Sequence, residues 1–394
     1  MRAKVHQRPV GQGGLCEGTL RDGHNVLFRW VYDCGSNQTD ALSREISQIR
    51  GDLDILFLSH LDSDHVNGVD TLLISCPVTE VVLPFLNDEE RVLVIAAASA
   101  VGKASGSLLS FAEDPASWLL RRGVRRVTFL TGGDDGEGLD PDRPEKPFPS
   151  DPRYEDERGR LRWGWTSPEF GRDAGSIREL PVGASFQVLA SSGAAWTLVP
   201  QVHRANPKLL AAFAGELATR FRACSPATAA HHAATEAGRD ALVACYEKIW
   251  GDHNLVSMSL FSGPHQVQAD AWFADIFMAP NRRVAREARG AAGWISTGDA
   301  KLSVNARRKV FQRFYQAHIP KTSVLIAPHH GAASSWHDDV LESFERLKLG
   351  CAAAGLNGYG HPNRKVISSF EDRGVRFVTV GEQSLSGVRL EAWI

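Results

Sequence analysis

The sequence predicts an α/β fold in which β-sheets and α-helices form a layered sandwich. Two strand-like segments joined by a polar turn occupy residues 9–35, and a continuous apolar run of strand length follows at residues 53–59. Strands and helical segments then alternate through the last third of the chain. Short apolar runs between turn residues are typical of buried strands, and their alternation with helices is typical of layered α/β proteins.

The first part of the chain is predicted to form four strands and one helix. The strands are the segments "GGLCEGTL", "VLFRWVYD", "LDILFLS" and "TEVVLPF". Asn87 with Glu90 three residues later is a capping-box pattern, which predicts a helix that runs to about Lys103. Gly, Pro, Asp, Glu and Arg predominate over residues 132–175, so we expect a long loop or a disordered insert there.

The second part of the chain is predicted to continue with strands and helices. Strand character resumes in "SFQVLA" and "AWTLVP", and the Ala-rich stretch 207–250 is predicted to form two helices. A further helix is expected over residues 303–317. The remaining predicted strands are "LVSMSLF", "GWISTG", "SVLIAP", "CAAAGLN" and "VRFVTVG".

Composition excludes some classes of function. The 394 residues include 44 Lys and Arg against 46 Asp and Glu, so no global charge indicates a nucleic-acid or membrane partner. No apolar run approaches the roughly 18 to 20 residues that a membrane span requires. The six cysteines lack CxxC spacing, which favours free thiols and a cytoplasmic location.

The segment "LSHLDSDHVNG" crowds ionisable residues just after the buried strand at 53–59. It contains His60, Asp62, Asp64 and His65. Strand-like alternation is expected to direct the first three side chains to one side, and a turn at His65 brings its imidazole round. Buried charges at this density require compensation, so divalent metal ions are expected among them.

Three later strands also end in possible metal ligands. Asp299 follows "GWIST", the pair His329 and His330 follows "SVLIA", and His361 follows "CAAAGL". A solvated polar loop would explain one such cluster in isolation. Because several strand ends carry His or Asp, the pattern favours a common site instead.

The motifs resemble those of the metallo-β-lactamase fold superfamily, and more narrowly the soluble domain of ComEC-type DNA-uptake proteins. The motifs in this chain are "VGQG" at 10–13, "DCG" at 33–35, the "HLDSDH" segment at 60–65, "GD" at 298–299, "HHG" at 329–331 and "NGYGHP" at 357–362. The resemblance covers roughly residues 8–85 and 180–394. It implies one αββα sandwich over residues 1–394, with a helical and then loop insertion at about 86–178 and a helical insertion at about 205–250.

The resemblance also implies a ligand set for two divalent ions. His60 and Asp62 would bind the first ion, Asp64 and His65 the second, Asp299 would bridge the two, and His361 would complete the second site. The superfamily pattern has His where this chain has Asp62. A carboxylate at that position hardens the site, so Zn²⁺ or Mn²⁺ is expected, with Fe²⁺ or Mg²⁺ as alternatives.

Further roles follow from the same motifs. Asp33 and Asn357 are expected to support the site from outside the ligand set, whereas His253 and Asn254 are uncertain ligands. His329 and His330 leave two alternatives open, a metal ligand or a group that hydrogen-bonds the substrate and protonates the leaving group. We favour the second alternative. Asp64 would orient the nucleophile as well as bind metal.

The predicted function is that of a metal-dependent hydrolase, most specifically a phosphodiesterase or nuclease that uses water activated by two metals. Nucleic acid or a nucleotide is the expected substrate, and Arg307 and Arg308 are candidate contacts within a basic stretch at 282–321. One alternative is a hydrolase of a small ester, lactone or nucleotide, which a hydrophobic pocket built by the inserts would favour. Another is a non-catalytic module that binds a partner protein through its inserts.

Overall fold

The computed structural model describes residues 1–132, 161–166, 175–190, 195–249, 256–265, 273–278, 281–288 and 291–393. The predicted α/β sandwich is confirmed within these ranges, since two β-sheets face each other and helices cover their outer faces. The following bounds define the elements used below.

The first part of the chain builds most of one sheet. Its elements are β1 (Arg2–Gln7), β2 (Gly13–Asp22), β3 (Asn25–Ser36), α1 (Thr39–Ile46), β4 (Leu53–Phe57), α2 (Ser63–Val66), α3 (Val69–Ser75), β5 (Val78–Pro84), α4 (Asp88–Ala100), α5 (Gly106–Glu113), α6 (Pro115–Leu120) and β6 (Arg126–Leu130).

The second part completes that sheet and builds the other one. Its elements are β7 (Leu161–Thr166), β8 (Ile177–Leu180), β9 (Ser185–Ala190), β10 (Ala195–His203), α7 (Pro207–Arg220), α8 (Pro226–Ala233), α9 (Glu236–Glu247), β11 (Ser257–Pro264), β12 (Phe273–Met278), β13 (Arg282–Ala288), β14 (Gly293–Ser296), α10 (Asn305–Phe314), β15 (Thr322–Ile326), β16 (Leu349–Ala353), α11 (Arg364–Glu371), β17 (Arg376–Val380) and β18 (Val388–Trp393). Short 3₁₀ turns lie at Ile319–Lys321, His329–Gly331, Ala333–Ser335 and Asp338–Ser343.

Each sheet contains a run of parallel strands. Among the described strands, the order in the first sheet is β13-β12-β18-β1-β2-β3-β4-β5-β6-β8, and in the second it is β17-β16-β15-β14-β11-β10-β9-β7. Strands β3 to β6 and β8 are parallel neighbours, and so are β14 to β17. The loops after parallel strands are the usual place for binding residues, and those after β4, β14 and β15 carry the predicted ligands.

The main hydrophobic core lies between the sheets. Trp30 of the first sheet and Trp196 and Trp294 of the second are fully buried there. A second core joins the outer face of the first sheet to α1, α3, α5 and α6, and a third joins the second sheet to α10 and α11. The layers therefore follow the order helix, sheet, sheet, helix, as predicted.

The predicted loop at residues 132–175 is wrong in one segment. Residues Leu161–Thr166 form β7, which pairs antiparallel with β9. Trp165 is buried, and its indole N–H donates to the carboxylate of Glu80 across 3.0 Å. The loop was predicted from the composition of the whole segment 132–175, in which the two tryptophans of β7 are outnumbered by polar residues. The rest of the predicted loop lies outside the described residues, apart from Gly132 and Gly175.

The Ala-rich stretch forms three helices instead of the predicted two. Ser225 caps α8 and Thr235 caps α9, each by accepting a hydrogen bond from a backbone N–H of the following first turn. The cap at Thr235 begins a new helix, so α8 and α9 are separate where one continuous helix was expected. With α4, the three helices bury a separate core of their own.

Two further segments extend the first sheet. Within the expected insertion at 86–178, β6 and the start of β8 continue the run of parallel strands. Residues Arg282–Ala288, in the basic stretch, form an edge strand of the same sheet. Helix α4 begins after Asn87 as predicted, with both hydrogen bonds of the capping box present. No helix in the described ranges has the length and apolar character of a membrane span.

Candidate metal centre

The loop after β4 is helical where the sequence suggested an extended segment. Asp62 is the N-cap of α2, so Asp62 and Asp64 point towards different neighbours. Oδ2 of Asp62 lies 3.7 Å from Nε2 of His60, whereas Oδ2 of Asp64 lies 3.2 Å from Nε2 of His330. Both carboxylates still face the cluster around Asp299, but a helical turn and not strand alternation sets their directions.

Asp299 is the centre of the cluster. It follows β14, is buried, and its backbone N–H donates to Oγ of Ser257 across 2.9 Å. Its carboxylate faces three imidazoles. Nε2 of His60 lies 3.5 Å from Oδ2, Nε2 of His65 lies 3.6 Å from Oδ1, and Nε2 of His329 lies 3.9 Å from Oδ2.

Two groups of side chains have the geometry of metal ligands. The first is His60, His65 and Asp299, and the second is Asp64, His65 and His330. Each group offers one ligand atom per residue, and those atoms lie within 4.8 Å of one another. Since His65 belongs to both groups and its Nε2 can bind only one ion, the two groups cannot both be complete at once.

The donor set fits a divalent metal. Nε2 of His60, Nε2 of His65 and Oδ1 of Asp299 are buried and form no hydrogen bond, an arrangement that is costly unless a cation satisfies these atoms. Nε2 of His60 lies 3.5 Å from Oδ2 of Asp299 and Nε2 of His65 lies 3.6 Å from Oδ1, and this spacing is wide for a hydrogen bond. It is close to the roughly 3.4 Å between two ligands that bind one zinc ion tetrahedrally at about 2.1 Å.

The Nδ1 atoms of His60, His65 and His330 lie within hydrogen-bonding distance of protein oxygens. Nδ1 of His60 lies 2.8 Å from Oγ of Ser59, and Nδ1 of His330 lies 2.8 Å from the carbonyl oxygen of Ala353. Nδ1 of His65 lies 2.8 Å from Oδ2 of Asp33. An imidazole that donates from Nδ1 presents the lone pair of Nε2 to a metal. All three rings are therefore oriented as ligands.

Charge in the cluster is strongly coupled. Burial by itself would lower the pKa of His60, but the carboxylates of Asp299 and Asp62 outweigh it and raise that pKa to about 10. Burial likewise opposes ionisation of Asp299, yet His329 and His60 hold the pKa of this carboxyl well below its usual range. Asp299 is therefore ionised near neutral pH and attracts a cation.

Asp33 orients two residues of the cluster, Ser59 and His65, through hydrogen bonds. It is buried and accepts hydrogen bonds from the backbone N–H and the hydroxyl of Ser59, at 2.6 and 2.7 Å, besides its contact with His65. Ser59 was missed in the sequence, although a hydroxyl residue directly before the first histidine was a usable signal. Gly35, quoted above as the last residue of the "DCG" motif, leaves room for the loop that carries His65. A Cβ there would lie 2.5 Å from the carbonyl carbon of His65.

Backbone strain is concentrated at this centre. Among the described non-glycine residues, only Asp33, His329 and His330 have left-handed φ angles, of 59°, 48° and 56°. Such conformations cost on the order of 1 to 3 kcal/mol each and cluster at functional sites. The strain turns His330 inward and leaves His329 partly exposed, since their side chains are 4% and 26% exposed.

The structure places His329, His330 and His361 differently with respect to the two ligand groups. His330, expected to act on the substrate, lies in the second ligand group. His361, expected to complete the second metal site, lies outside both groups, with its ring 5.7 Å from that of His329 and 5.9 Å from that of Tyr359. Asn357 accounts for this position, because its side chain hydrogen-bonds both the N–H and the carbonyl oxygen of His361. Asp62 also lies outside both groups.

The basic stretch at 282–321 is not one surface. Arg282 and Arg283 lie on the edge strand β13, whereas Arg307 and Arg308 lie on α10 beside the other sheet. Arg308 is buried and donates to Oδ2 of Asp339 across 2.9 Å, so its predicted contact with substrate is wrong. Arg307 donates to the carbonyl oxygen of Arg204. His253 and Asn254 lie outside the described residues.

Comparison with known proteins supports the class that the site suggests. A family model described as "Metallo-beta-lactamase superfamily" matches residues 22–89, which include the His60 to His65 loop. Among solved structures, the metallo-beta-lactamase fold protein YhfI from Bacillus subtilis is similar at 10% identity, covering 98% of this chain and 99% of that chain with a TM-score of 0.36. No curated protein matches the chain. The family match supports the metallo-β-lactamase superfamily and a metal-dependent hydrolase, whereas the closer resemblance to ComEC-type domains stays a prediction.

Proposed function

We propose that this chain is a metal-dependent phosphodiesterase that acts on a nucleic acid or a nucleotide. One observation carries the catalytic part of the proposal. Three imidazoles present Nε2 to the carboxylates of Asp64 and Asp299, while each Nδ1 lies within hydrogen-bonding distance of a protein acceptor. The choice of a phosphodiester is supported by the order of the sequence motifs and is a matter of resemblance.

The side chains of the cluster have two roles in this proposal, metal binding and positioning. His60, His65 and Asp299 would hold one divalent ion, and Asp64 with His330 would extend the centre towards a second. A divalent metal in this position supplies Lewis-acid chemistry, since it lowers the pKa of a water ligand and polarises a phosphoryl oxygen. Asp33 positions His65 and Ser59 and does not contact the substrate.

His329 is the residue of the histidine pair that can reach a substrate. Its imidazole is partly exposed, and Nε2 lies 3.9 Å from Oδ2 of Asp299. Burial lowers the pKa of His329 to about 4, so the ring is neutral near pH 7 and can donate a hydrogen bond to a phosphoryl oxygen. His330 is enclosed by Asp64 and Ala353 and acts from within the ligand set.

The test combines metal content with hydrolysis. Wild type, Asp64→Ala and Asp88→Ala are purified, and bound metal is measured by elemental analysis. Each protein is then supplied with Zn²⁺, Mn²⁺ or Mg²⁺ and assayed on bis(p-nitrophenyl) phosphate, single-stranded DNA, duplex DNA and RNA. Asp88 is the matched control because it is an exposed aspartate on α4.

We expect bound metal and hydrolysis in wild type and in Asp88→Ala. Asp64→Ala should lose at least about a hundredfold in kcat, because an interaction with the reacting centre is removed. Wild type that binds no metal and cleaves no phosphodiester with any of the three ions would refute the proposal. The non-catalytic alternative would then become the better hypothesis.

A further inference from the structure

A cavity opens directly beside the candidate metal centre. It has an empty volume of about 520 Å³, part of which is open to solvent, and His60 and Asp62 line one end. The facing wall is one side of α4, where Leu93, Val94 and Ala97 follow the helical repeat. A group in this cavity would therefore be adjacent to a bond broken at the metal centre.

The described lining of the cavity is mostly apolar. Leu86 and Val256 add to the apolar lining that α4 provides. The described lining residues include neither Lys nor Arg. A polyanionic chain would gain no charge pairing there, whereas an apolar substituent would leave water and gain free energy in proportion to its buried area.

The acidic group in the facing wall has partners of its own. One carboxylate oxygen of Glu90 accepts a hydrogen bond from the backbone N–H of Asn87 across 2.9 Å and lies 3.7 Å from a guanidinium nitrogen of Arg204. Glu90 therefore caps α4 and stabilises the wall. Of the described carboxylates in the lining, this leaves Asp62 to meet the polar part of a ligand, at the end next to His60.

We infer that this cavity is a substrate pocket for a compact apolar group, such as an aryl or alkyl substituent, attached to the ester that the centre hydrolyses. The inference rests on the proposed phosphodiesterase function and favours the smaller of its two substrates, a nucleotide-sized diester with an apolar substituent. A polymeric nucleic acid is the competing substrate. The split of the basic stretch between β13 and α10 agrees with the smaller substrate.

Two model diesters with the same leaving group test the inference. Methyl p-nitrophenyl phosphate and phenyl p-nitrophenyl phosphate differ in the group that would enter the cavity. Wild type, Ala97→Phe and Ala100→Phe are compared as metal-loaded full-length proteins, with rates corrected for uncatalysed hydrolysis. Ala100 is the matched control, since it lies one turn further along α4 and does not line the cavity.

We expect wild type and Ala100→Phe to favour the phenyl diester by at least about tenfold in kcat/KM, because burial of a ring contributes far more than burial of a methyl group. In Ala97→Phe the new ring occupies the cavity, and the preference should fall to near one. Calorimetric titration with phenylphosphonate and methylphosphonate gives the same comparison without hydrolysis. If Ala97→Phe does not fold, Val94→Phe replaces it.

The outcomes separate the inference from the function on which it rests. If neither diester is hydrolysed, neither phosphonate binds and single-stranded DNA and RNA are not cleaved, the proposed function fails. If both diesters are hydrolysed without preference, or if Ala97→Phe and Ala100→Phe behave alike, the pocket assignment is overturned while the function stands. Faster cleavage of single-stranded DNA than of either diester, unaffected by Ala97→Phe, would also overturn it.

Discussion

The carboxylate of Asp33 accepts a hydrogen bond from Nδ1 of His65 across 2.8 Å, although 31 residues separate the two in the chain. The same carboxylate holds Ser59, whose Oγ lies 2.8 Å from Nδ1 of His60. One buried side chain therefore sets the orientation of two candidate ligands. Groups that orient metal-bound histidines in this way commonly determine metal affinity.

Asp33→Asn should weaken metal binding without unfolding the protein. Asparagine tolerates the left-handed φ of this position, but its amide cannot replace both accepting oxygens. We expect metal affinity, measured by competition with a chelator, to fall by about tenfold to a hundredfold. Asp40→Asn on the exposed face of α1 is the control. Equal affinity in Asp33→Asn and wild type would show that Asp33 has no positioning role.

His330→Ala and His361→Ala distinguish the ligand set of the structure from that of the sequence motif. His330 belongs to a ligand group and His361 does not. A metal present at a hundred times its Kd stabilises the folded state by about 2.7 kcal/mol, so Tm should rise when Zn²⁺ is added to metal-stripped protein. We expect His361→Ala to keep most of this rise and His330→Ala to lose most of it. The reverse result would restore the ligand set implied by the motif.

His203 should make the protein sensitive to acid. It is buried with Nε2 2.6 Å from Oγ of Ser259, and burial followed by the charge of Arg307 lowers its pKa from 6.5 to about 3. The folded state favours the neutral ring. Its contribution to stability is therefore complete above pH 6.5 and is lost as pH falls towards 3.

The comparison with His203→Gln isolates that contribution. The free energy of unfolding, measured with urea over this pH range, should fall in wild type by on the order of 4 kcal/mol more than in His203→Gln, which has no titrating group there. The contributions of the other ionisable residues to the pH dependence are the same in both proteins and cancel in the difference. Parallel pH profiles would contradict the prediction.

Asn87→Ala should destabilise the helix that forms the cavity wall. Oδ1 of Asn87 accepts a hydrogen bond from the backbone N–H of Glu90 at 2.9 Å, and the carboxylate of Glu90 accepts one from the backbone N–H of Asn87. Loss of such a cap costs about 1 kcal/mol. Urea unfolding should show this loss, whereas Glu89→Ala in the same exposed turn should change stability by less than about 0.5 kcal/mol. Equal effects of the two substitutions would show that the cap is not important.

Local side-chain patterns were sufficient to predict much of the fold. The apolar run at 53–59 became β4, and the Asn87 and Glu90 pair became the start of α4. Strand β7 and the division of the Ala-rich stretch were missed. In both cases a few residues, Trp165 in the strand and Ser225 and Thr235 at the caps, outweighed the composition around them.

By itself, the sequence determined which strand ends carry ionisable residues and hence where a metal centre was to be sought. It did not determine which of those residues meet. His330 approaches Asp64 and His361 does not, because the packing of two sheets and the left-handed turn at His329 and His330 decide the direction of each ring. Spacing along a chain is a local property, whereas convergence at Asp299 depends on contacts between residues more than 230 positions apart. Only the tertiary structure contains that information.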